Sequence, residues 1–404
     1  MNLYTGNENV NNDLIVITSL ARTPIGHLLG YFKDLTAYEL GAYAIKAAIE
    51  RAHLKPDDIE EVFMGCILQA GLGQAPARQA AIAAGVPHHV GCSTINKMCG
   101  SGMKSIMLGF DAIMAGTHNV IVAGGMESMT NAPYLLTKAR VGYRLGHGQL
   151  IDHMYLDGLE DAYERGTLMG VFADNTAKKF GFSRKSQDEY AKTSILRAQQ
   201  ATKEGRFNFE ITPVTVTTAK EEKIYTTDEG PQAVLIEKIP LLKPAFSKYG
   251  TVTAANSSKI SDGAAAMVLM RSSKAEALGI KPLAVIRAHA SYAHEPGWFT
   301  TTPAAVIRRL IKKVDWTLDS VDLLEINEAF AVVPMVAMKE LNIPHEKVNV
   351  HGGACVLGHP IGASGARIVA TLIGALKYHE KKRGIAAICI GGGEATALAI
   401  EMMD

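Results

Sequence analysis

The stretches "SGMKSIMLGFDAIMAG" (residues 101–116) and "SGARIVATLIGALKYH" (364–379) are one helix written twice, 263 residues apart. Both open on Ser-Gly and carry apolar residues at helical spacing. Both run into an apolar strand that ends in glycines, "NVIVAGG" (119–125) and "IAAICIGGG" (385–393). Upstream, "KPDDIEEVFMG" (55–65) superimposes on "TLDSVDLLEIN" (317–327) at an offset of 262, with Asp57 on Asp319 and Ile59 on Val321. Further back, the strand "DLIVITSL" (13–20) and the amphipathic helix "AYELGAYAIKAAIERAH" (37–53) reappear as "KPLAVIRA" (281–288) and "TPAAVIRRLIKKV" (302–314). Two similar helices would explain one match. A near-constant offset through successive elements in the same order points to a duplication.

Each copy reads strand, helix, strand, helix, strand, which predicts an α/β fold with right-handed crossovers and helices covering a mostly parallel sheet. Residues 129–252 are longer, more charged and turn-rich ("GLEDAYERG", "TTDEGPQ") and read as an inserted loop domain. The strand "AAAMVLMR" (264–271) then completes the first sheet. The expected division is therefore 1–128 with 253–280 as an N-terminal half, 129–252 as the insertion, and 281–404 as a C-terminal half. If the halves pack about a pseudo-twofold axis, their glycine-rich helix starts face one cleft. Residue 99 corresponds to residue 362 in "GHPIGASG", so Cys99 and His359 should approach each other from opposite halves.

The composition sets limits on function. A chain of 404 residues with net charge +1 has no basic excess to suggest nucleic acid and no acidic tail to suggest disorder. No apolar run approaches the ~18 residues of a membrane span. The N-terminus lacks the basic start and long apolar stretch of a secretory signal, so the expectation is a soluble, cytoplasmic protein with its first dozen residues untied. The five cysteines are widely spaced with no C-x-x-C pair, which argues against a disulfide framework and a zinc site. There is no G-x-G-x-x-G after a first strand, no P-loop, no G-x-S-x-G elbow and no H-E-x-x-H.

Four residues remain as candidates for chemistry. Cys99, in "INKMCGSG", sits at a helix start whose partial positive charge favours a thiolate by ~0.3–2 kcal/mol. Taken alone, that setting suits a nucleophile and a small buried residue equally, and a nearby base is needed to complete a nucleophile. His359, in "LGHPIGASG", lies in a rigid turn between glycines and ahead of a proline. Cys389, in "AICIGGGEAT", reads as an apolar strand cysteine by itself, yet it stands at a strand's carboxyl end, where open α/β sheets bind ligands. Asn327, in "EINEAF", also closes a strand, and its amide needs partners that a water or a polar substrate group can supply. Cys66, Cys92 and Cys355 read as structural, with Cys355 near enough to His359 to line the same pocket.

The blocks "INKMCGSGMKS", "AGGMESMTNAPYLL", "GTVTAANSS", "NEAF", "VNVHGGACVLGHPIGASGAR" and "CIGGGEATAL", which hold these residues, together resemble the thiolases. They occur in order along essentially the whole chain, from "RTPIG" (22–26) to the last strand. The resemblance implies a duplicated βαβαβαββ core, in two pseudo-twofold-related halves of mixed sheet and helices, with a loop domain inserted in the first half. "MTNAPYLL" and "HPIGASGAR" look more like the biosynthetic branch, which makes acetoacetyl-CoA, than the long-chain degradative one.

Carried onto this sequence, the resemblance implies a two-stage acyl transfer. Cys99 would attack the thioester of acetyl-CoA with His359 taking its proton, and Cys389 would then remove an α-proton from a second acetyl-CoA. His359 and a water held by Asn327 would stabilise the enolate. The backbone N–H groups of Cys99 and Gly391 would hold the tetrahedral oxyanion, where one such donor is typically worth ~3–4 kcal/mol. Coenzyme A contacts would map to Met169, Phe246, Ser258, Ala329 and Phe330.

The resemblance calls for no metal and no redox cofactor, makes acetyl-CoA, acetoacetyl-CoA and CoA the partners, and implies a homotetramer built as a dimer of dimers. A 3-ketoacyl-CoA thiolase of longer chains is the nearest rival. A ketoacyl synthase would want a second histidine in place of Cys389, and retention of the full Cys/His/Asn/Cys set argues against an inactive acyl-CoA-binding protein. Four positions depart from the family pattern: Leu168 stands for a common histidine, Ala255 and Lys259 for glycines, and Glu394 for Met or Gly.

Overall fold

The structure, a computed structural model, describes residues 13–403, so the expectation for the first dozen residues lies outside the described part. The first half contributes β1 (Ile15–Arg22), α1 (Ala37–Arg51), β2 (Glu61–Gly65), α2 (Pro76–Ala83), β3 (Gly91–Ile95), α3 (Ser101–Met114), β4 (Val120–Ser128) and, after a long excursion, β5 (Ser261–Arg271). The excursion holds α4 (Met169–Phe180) and α5 (Arg184–Lys203). The second half contributes β6 (Ala284–Ala293), α6 (Thr302–Val314), β7 (Leu323–Ile326), α7 (Val332–Leu341), α8 (Ile361–Tyr378), β8 (Arg383–Ile390) and β9 (Glu394–Met402).

Local chemistry explains the boundaries. Thr36 and Glu39 form a reciprocal capping box that starts α1, with Thr36 N donating to Glu39 Oε2 at 2.8 Å. Asp315 takes the left-handed conformation that ends α6 (φ 54°). Side chains alternate along the strands: Ile121 and Ala123 face the centre of the molecule, while Val120 and Val122 face α1 and α2.

The main sheet runs β7-β8-β9-β6-β1-β5-β4-β2-β3, with a two-residue strand, Gly26–His27, added beside β5. Read outward from the β1–β6 joint, the orders are 1-5-4-2-3 and 6-9-8-7. The first four strands follow the same succession in both halves, as the repeat requires, and β3 at the edge of the first half has no counterpart among the described strands. The expected mostly parallel sheet is corrected: β1–β5, β5–β4, β6–β9 and β8–β9 all pair antiparallel, and only β2–β3, β2–β4 and β7–β8 are parallel. For β8 and β9 the reason is the length of the connection. Only the short turn Gly391–Gly393 separates β8 from β9, too short for a parallel crossover. Antiparallel pairing of β1 with β6, at Val16 with Val285 and Ile17 with Ala284, also joins the two expected sheets into one.

Helices α3 and α8 lie at the centre. α8 packs on β4 and β5 of the first half and on β7 and β8 of the second, and Ile361 through Leu376 are all buried. A helix buried on every side is a core helix, and the polar residues it carries, Ser364, Arg367 and Thr371, are buried with it. Glycines let these central elements meet: a Cβ at Gly125 would collide with the Gly362 carbonyl, and one at Gly102 would lie 2.8 Å from Ala366 N. The crossing of β4, α3 and α8 thus brings the start of each central helix to one place. Among the described residues, no helix is long and apolar enough to cross a membrane.

Candidate active site

A cavity of about 670 Å³ opens at that crossing. Cys99 and His359 both line it, with Gly391 and Gly392 from the β8–β9 turn. Ile67, Met98, Phe299 and Phe330 supply apolar wall, and Tyr163 and Arg165 stand toward its outer part as exposed residues.

Cys99 is held by an unusual turn. Met98, just before it, has φ 47°, a left-handed conformation that costs a side-chain-bearing residue energy. Neighbours hold it there: Asn96 Oδ1 accepts from Met98 N (3.1 Å), and the Ser101 hydroxyl donates to Met98 O (2.7 Å) and accepts from Lys97 N (2.7 Å). The half-buried thiol therefore sits before the first turn of α3.

Sequence reasoning expects that helix start to favour a thiolate, and the balance found runs the other way. Burial raises the Cys99 thiol to about 11, against lowering by the Gly391 and Cys99 backbone N–H groups that reach the sulfur. Desolvation outweighs a helix end because the sulfur faces a largely apolar cavity. Alkylation of the free protein at Cys99 should thus climb with pH through 9 and 10 toward a midpoint near 11, as read by iodoacetamide labelling and mass spectrometry. A plateau below pH 9 would mean that the thiol is already ionised.

His359 ends a turn fixed from two sides. Its N–H donates to Lys259 O at 3.0 Å, and its Nδ1 lies 2.5 Å from Ser364 Oγ. Since the Ser364 hydroxyl donates its proton to Pro360 O (2.8 Å), it must accept from the ring, so Nδ1 carries the imidazole proton. Nε2 is then the basic nitrogen, and it has no partner among the described residues. Burial first, with the positive Arg367 second, depresses His359 to about 3, so the ring is neutral near pH 7. Ser364 is a functional residue that sequence reasoning missed. Its signal was present in the i, i+5 spacing from His359 at the start of α8.

Cys389 and Asn327 lie behind the cavity surface. Cys389 is buried, pairs with Ala395 across the β8–β9 hairpin, and has its thiol pushed well up by burial first and by Cys99 second. Asn327 is 1% exposed at the end of β7, on the strand beside β8. Neither Nδ2 nor Oδ1 of Asn327 finds a partner among the described residues. A buried amide in that condition suits a polar guest group.

The expected coenzyme contacts divide. Met169, Ser258, Ala329 and Phe330 line the cavity, and Ser258 N donates to Ala329 O at 2.9 Å. Phe246 does not. It packs edge-on against Phe330 (5.9 Å between centroids) and over Gly170, where a Cβ would meet its ring. It therefore shapes the cavity through Phe330. Cys355 is likewise corrected: it is fully buried against Tyr190 and Ala331, away from the cavity lining.

Of the departures, Leu168 caps α4 outside the lining, and Ala255 is buried beside Thr253. Lys259 presents its carbonyl to His359 while its ammonium donates to Ala254 O. Glu394 pairs with Lys97 and so ties the turn after β8 to the Cys99 loop.

Comparison with known proteins finds relatives over nearly the whole chain. Residues 15–273 match the model of the thiolase N-terminal domain and residues 280–402 that of the thiolase C-terminal domain. An acetyl-CoA acetyltransferase of Cupriavidus necator is 47% identical over 389 residues, 96% of this chain and 99% of the relative. The crystal structure of the Bacillus anthracis acetyl-CoA acetyltransferase superimposes with a TM-score of 0.94 at 41% identity, covering 97% of this chain and 99% of that one. A thiolase from Ascaris suum, solved in complex with coenzyme A, gives 0.91 at 43% identity, with 96% and 100% covered.

Proposed function

The chain belongs to the thiolase family, and on that premise we propose the site's chemistry: condensation of two acetyl-CoA molecules to acetoacetyl-CoA and CoA, reversible as thiolysis. The observation that carries the residue assignments is the meeting of a thiol, two backbone N–H groups and a basic imidazole nitrogen in one cavity.

In the first stage the Cys99 proton passes to His359 Nε2 as the sulfur attacks the thioester carbon. The oxyanion forms beside the amides of Cys99 and Gly391, and its collapse expels the CoA thiolate, which takes the proton of Cys389 as it departs and leaves as CoA. A neutral thiol and a neutral imidazole are the right starting pair, because proton transfer happens only as charge is consumed by the reaction. In the second stage Cys389 takes the α-proton. Burial keeps Cys389 a protonated thiol in the resting enzyme, and it becomes a thiolate only when the departing CoA takes its proton, that is, once Cys99 carries the acetyl group. His359, now protonated at Nε2, and a water held by Asn327 stabilise the enolate oxygen. The enolate carbon attacks the acetyl carbonyl, expelling the Cys99 thiolate, which takes its proton back from His359.

Met169, Ser258, Ala329 and Phe330 would contact the pantetheine arm, with Phe246 behind them. The same proposal takes residues 1–128 with 253–280, 129–252 and 281–404 as first half, insertion and second half. It also places a homotetramer in the cytoplasm, in fatty acid and lipid metabolism, with the sites using no metal or redox cofactor. Exposed Leu136, Leu145 and Leu150 on the inserted segment support association between copies.

The test is a direct comparison of thiolysis rates on C4 and C8 3-ketoacyl-CoA together with acetyl-CoA condensation. We expect C4 to be preferred at least ~10-fold in kcat/KM, the scale on which an apolar pocket discriminates by chain length. Equal or faster turnover of C8 would replace this reading with that of a long-chain degradative thiolase.

A further inference from the structure

We propose that Glu127 is a positioning residue that fixes the His359 turn against the first half of the molecule. Glu127 is the second-to-last residue of β4 and is 0% exposed. Its Oε2 accepts Gly362 N (2.9 Å) and Ile67 N (3.1 Å), its Oε1 accepts Leu68 N (3.1 Å), and the Cys66 thiol donates to Oε1 at 3.6 Å. The carboxyl group, which burial pushes up to about 7 against the pull of these N–H groups, therefore draws three backbone donors from two separate segments to one point.

Those segments are functionally placed. Gly362 is the second residue of α8 and stands three residues after His359, with Pro360 stiffening the link. Ile67 lines the cavity from the other half. The anchors of His359 itself, its backbone N–H on Lys259 O and its ring Nδ1 on Ser364 Oγ, set the residue relative to the loop before β5 and to its own turn. Neither relates that turn to the loop at Ile67. Glu127 supplies that link, and it does so at the positive end of α8, where a carboxylate is favoured. A glutamine of the same size would turn an N–H₂ toward a backbone donor and leave that donor unpaired. The turn would then be free to shift relative to Cys99, and a displacement of about 1 Å costs reactions of this kind on the order of 10²-fold.

This inference rests on the assignment of His359 as the base. It is tested by a double-mutant cycle on Cys99 acetylation, followed by intact-mass spectrometry in single turnovers with acetyl-CoA. Glu127→Gln should slow acetylation about 30-fold in the wild-type background and less than about twofold in His359→Ala, because the positioned group is already gone. Glu127→Asp keeps the charge but is one methylene short. It should fall between wild type and Glu127→Gln, and it carries the cycle if the glutamine variant does not fold. Equal slowing in both backgrounds would make Glu127 a general support of the fold, and a Glu127→Gln enzyme within threefold of wild type would remove its role altogether. If His359→Ala itself acetylates at the full rate, the catalytic assignment falls and this inference with it.

Discussion

Cys99→Ser is expected to yield a folded protein that takes up no acetyl group from acetyl-CoA, with C4 condensation reduced by at least about 10⁴-fold. The expectation follows from how little the site does to ionise its nucleophile in advance. The thiol is pushed to about 11 and the imidazole held at about 3, so at neutral pH both are uncharged. Catalysis then depends on the intrinsic nucleophilicity of sulfur and on its readiness to shed a proton as the bond forms. A serine hydroxyl, several pKa units more basic as an alkoxide, places a far larger demand on the same weak base. The substitution is nearly isosteric at a half-buried position, so the fold should survive, and an unchanged Tm would show it. Intact mass after brief exposure to acetyl-CoA is the decisive measurement. An acetylated Cys99→Ser protein formed at the wild-type rate would move the nucleophile elsewhere.

Much of the architecture was legible because duplication makes weak local signals check one another. The 263-residue offset placed Cys99 and His359 on corresponding helix starts, and the structure has α3 and α8 crossing at Gly102, Gly125 and Gly362. What the repeat left open was strand direction and electrostatic balance. A strand's apolar pattern is the same whichever way its neighbour runs, so nothing in "AAAMVLMR" announces that β5 lies antiparallel between β1 and β4. A helix start likewise gives the sign of one contribution to the Cys99 thiol. The larger and opposite one, desolvation, depends on walls contributed by Phe299, Phe330 and Met169, hundreds of residues apart in part. Sequence blocks likewise show which side chains gather, and only packing shows that Phe246 meets Phe330 edge-on beside the cavity.

The converse experiment separates the two stages. Cys389→Ala should still acquire one acetyl group from acetyl-CoA, because Cys99, His359 and the two amides are untouched. The acetyl-enzyme should then persist, with acetoacetyl-CoA formation reduced by ~10³-fold or more, the upper range for losing a positioned base. Cys389 is buried next to Cys99 at the end of β8, and its thiol is raised by burial and by that neighbour. Such a group is a protonated thiol in the resting enzyme and becomes a strong base once the departing CoA thiolate has taken its proton. The order of events is thereby built into the pair: enolate cannot form before an acetyl group is there to receive it. Replacing a buried thiol by a methyl group leaves a small gap in the β8–β9 hairpin, which should lower Tm without unfolding the protein. Stopped-flow acylation and steady-state condensation, measured on the same preparation, would show the split. Equal loss of both stages would assign Cys389 to packing around Cys99, and equal retention would place the α-proton's acceptor on another residue.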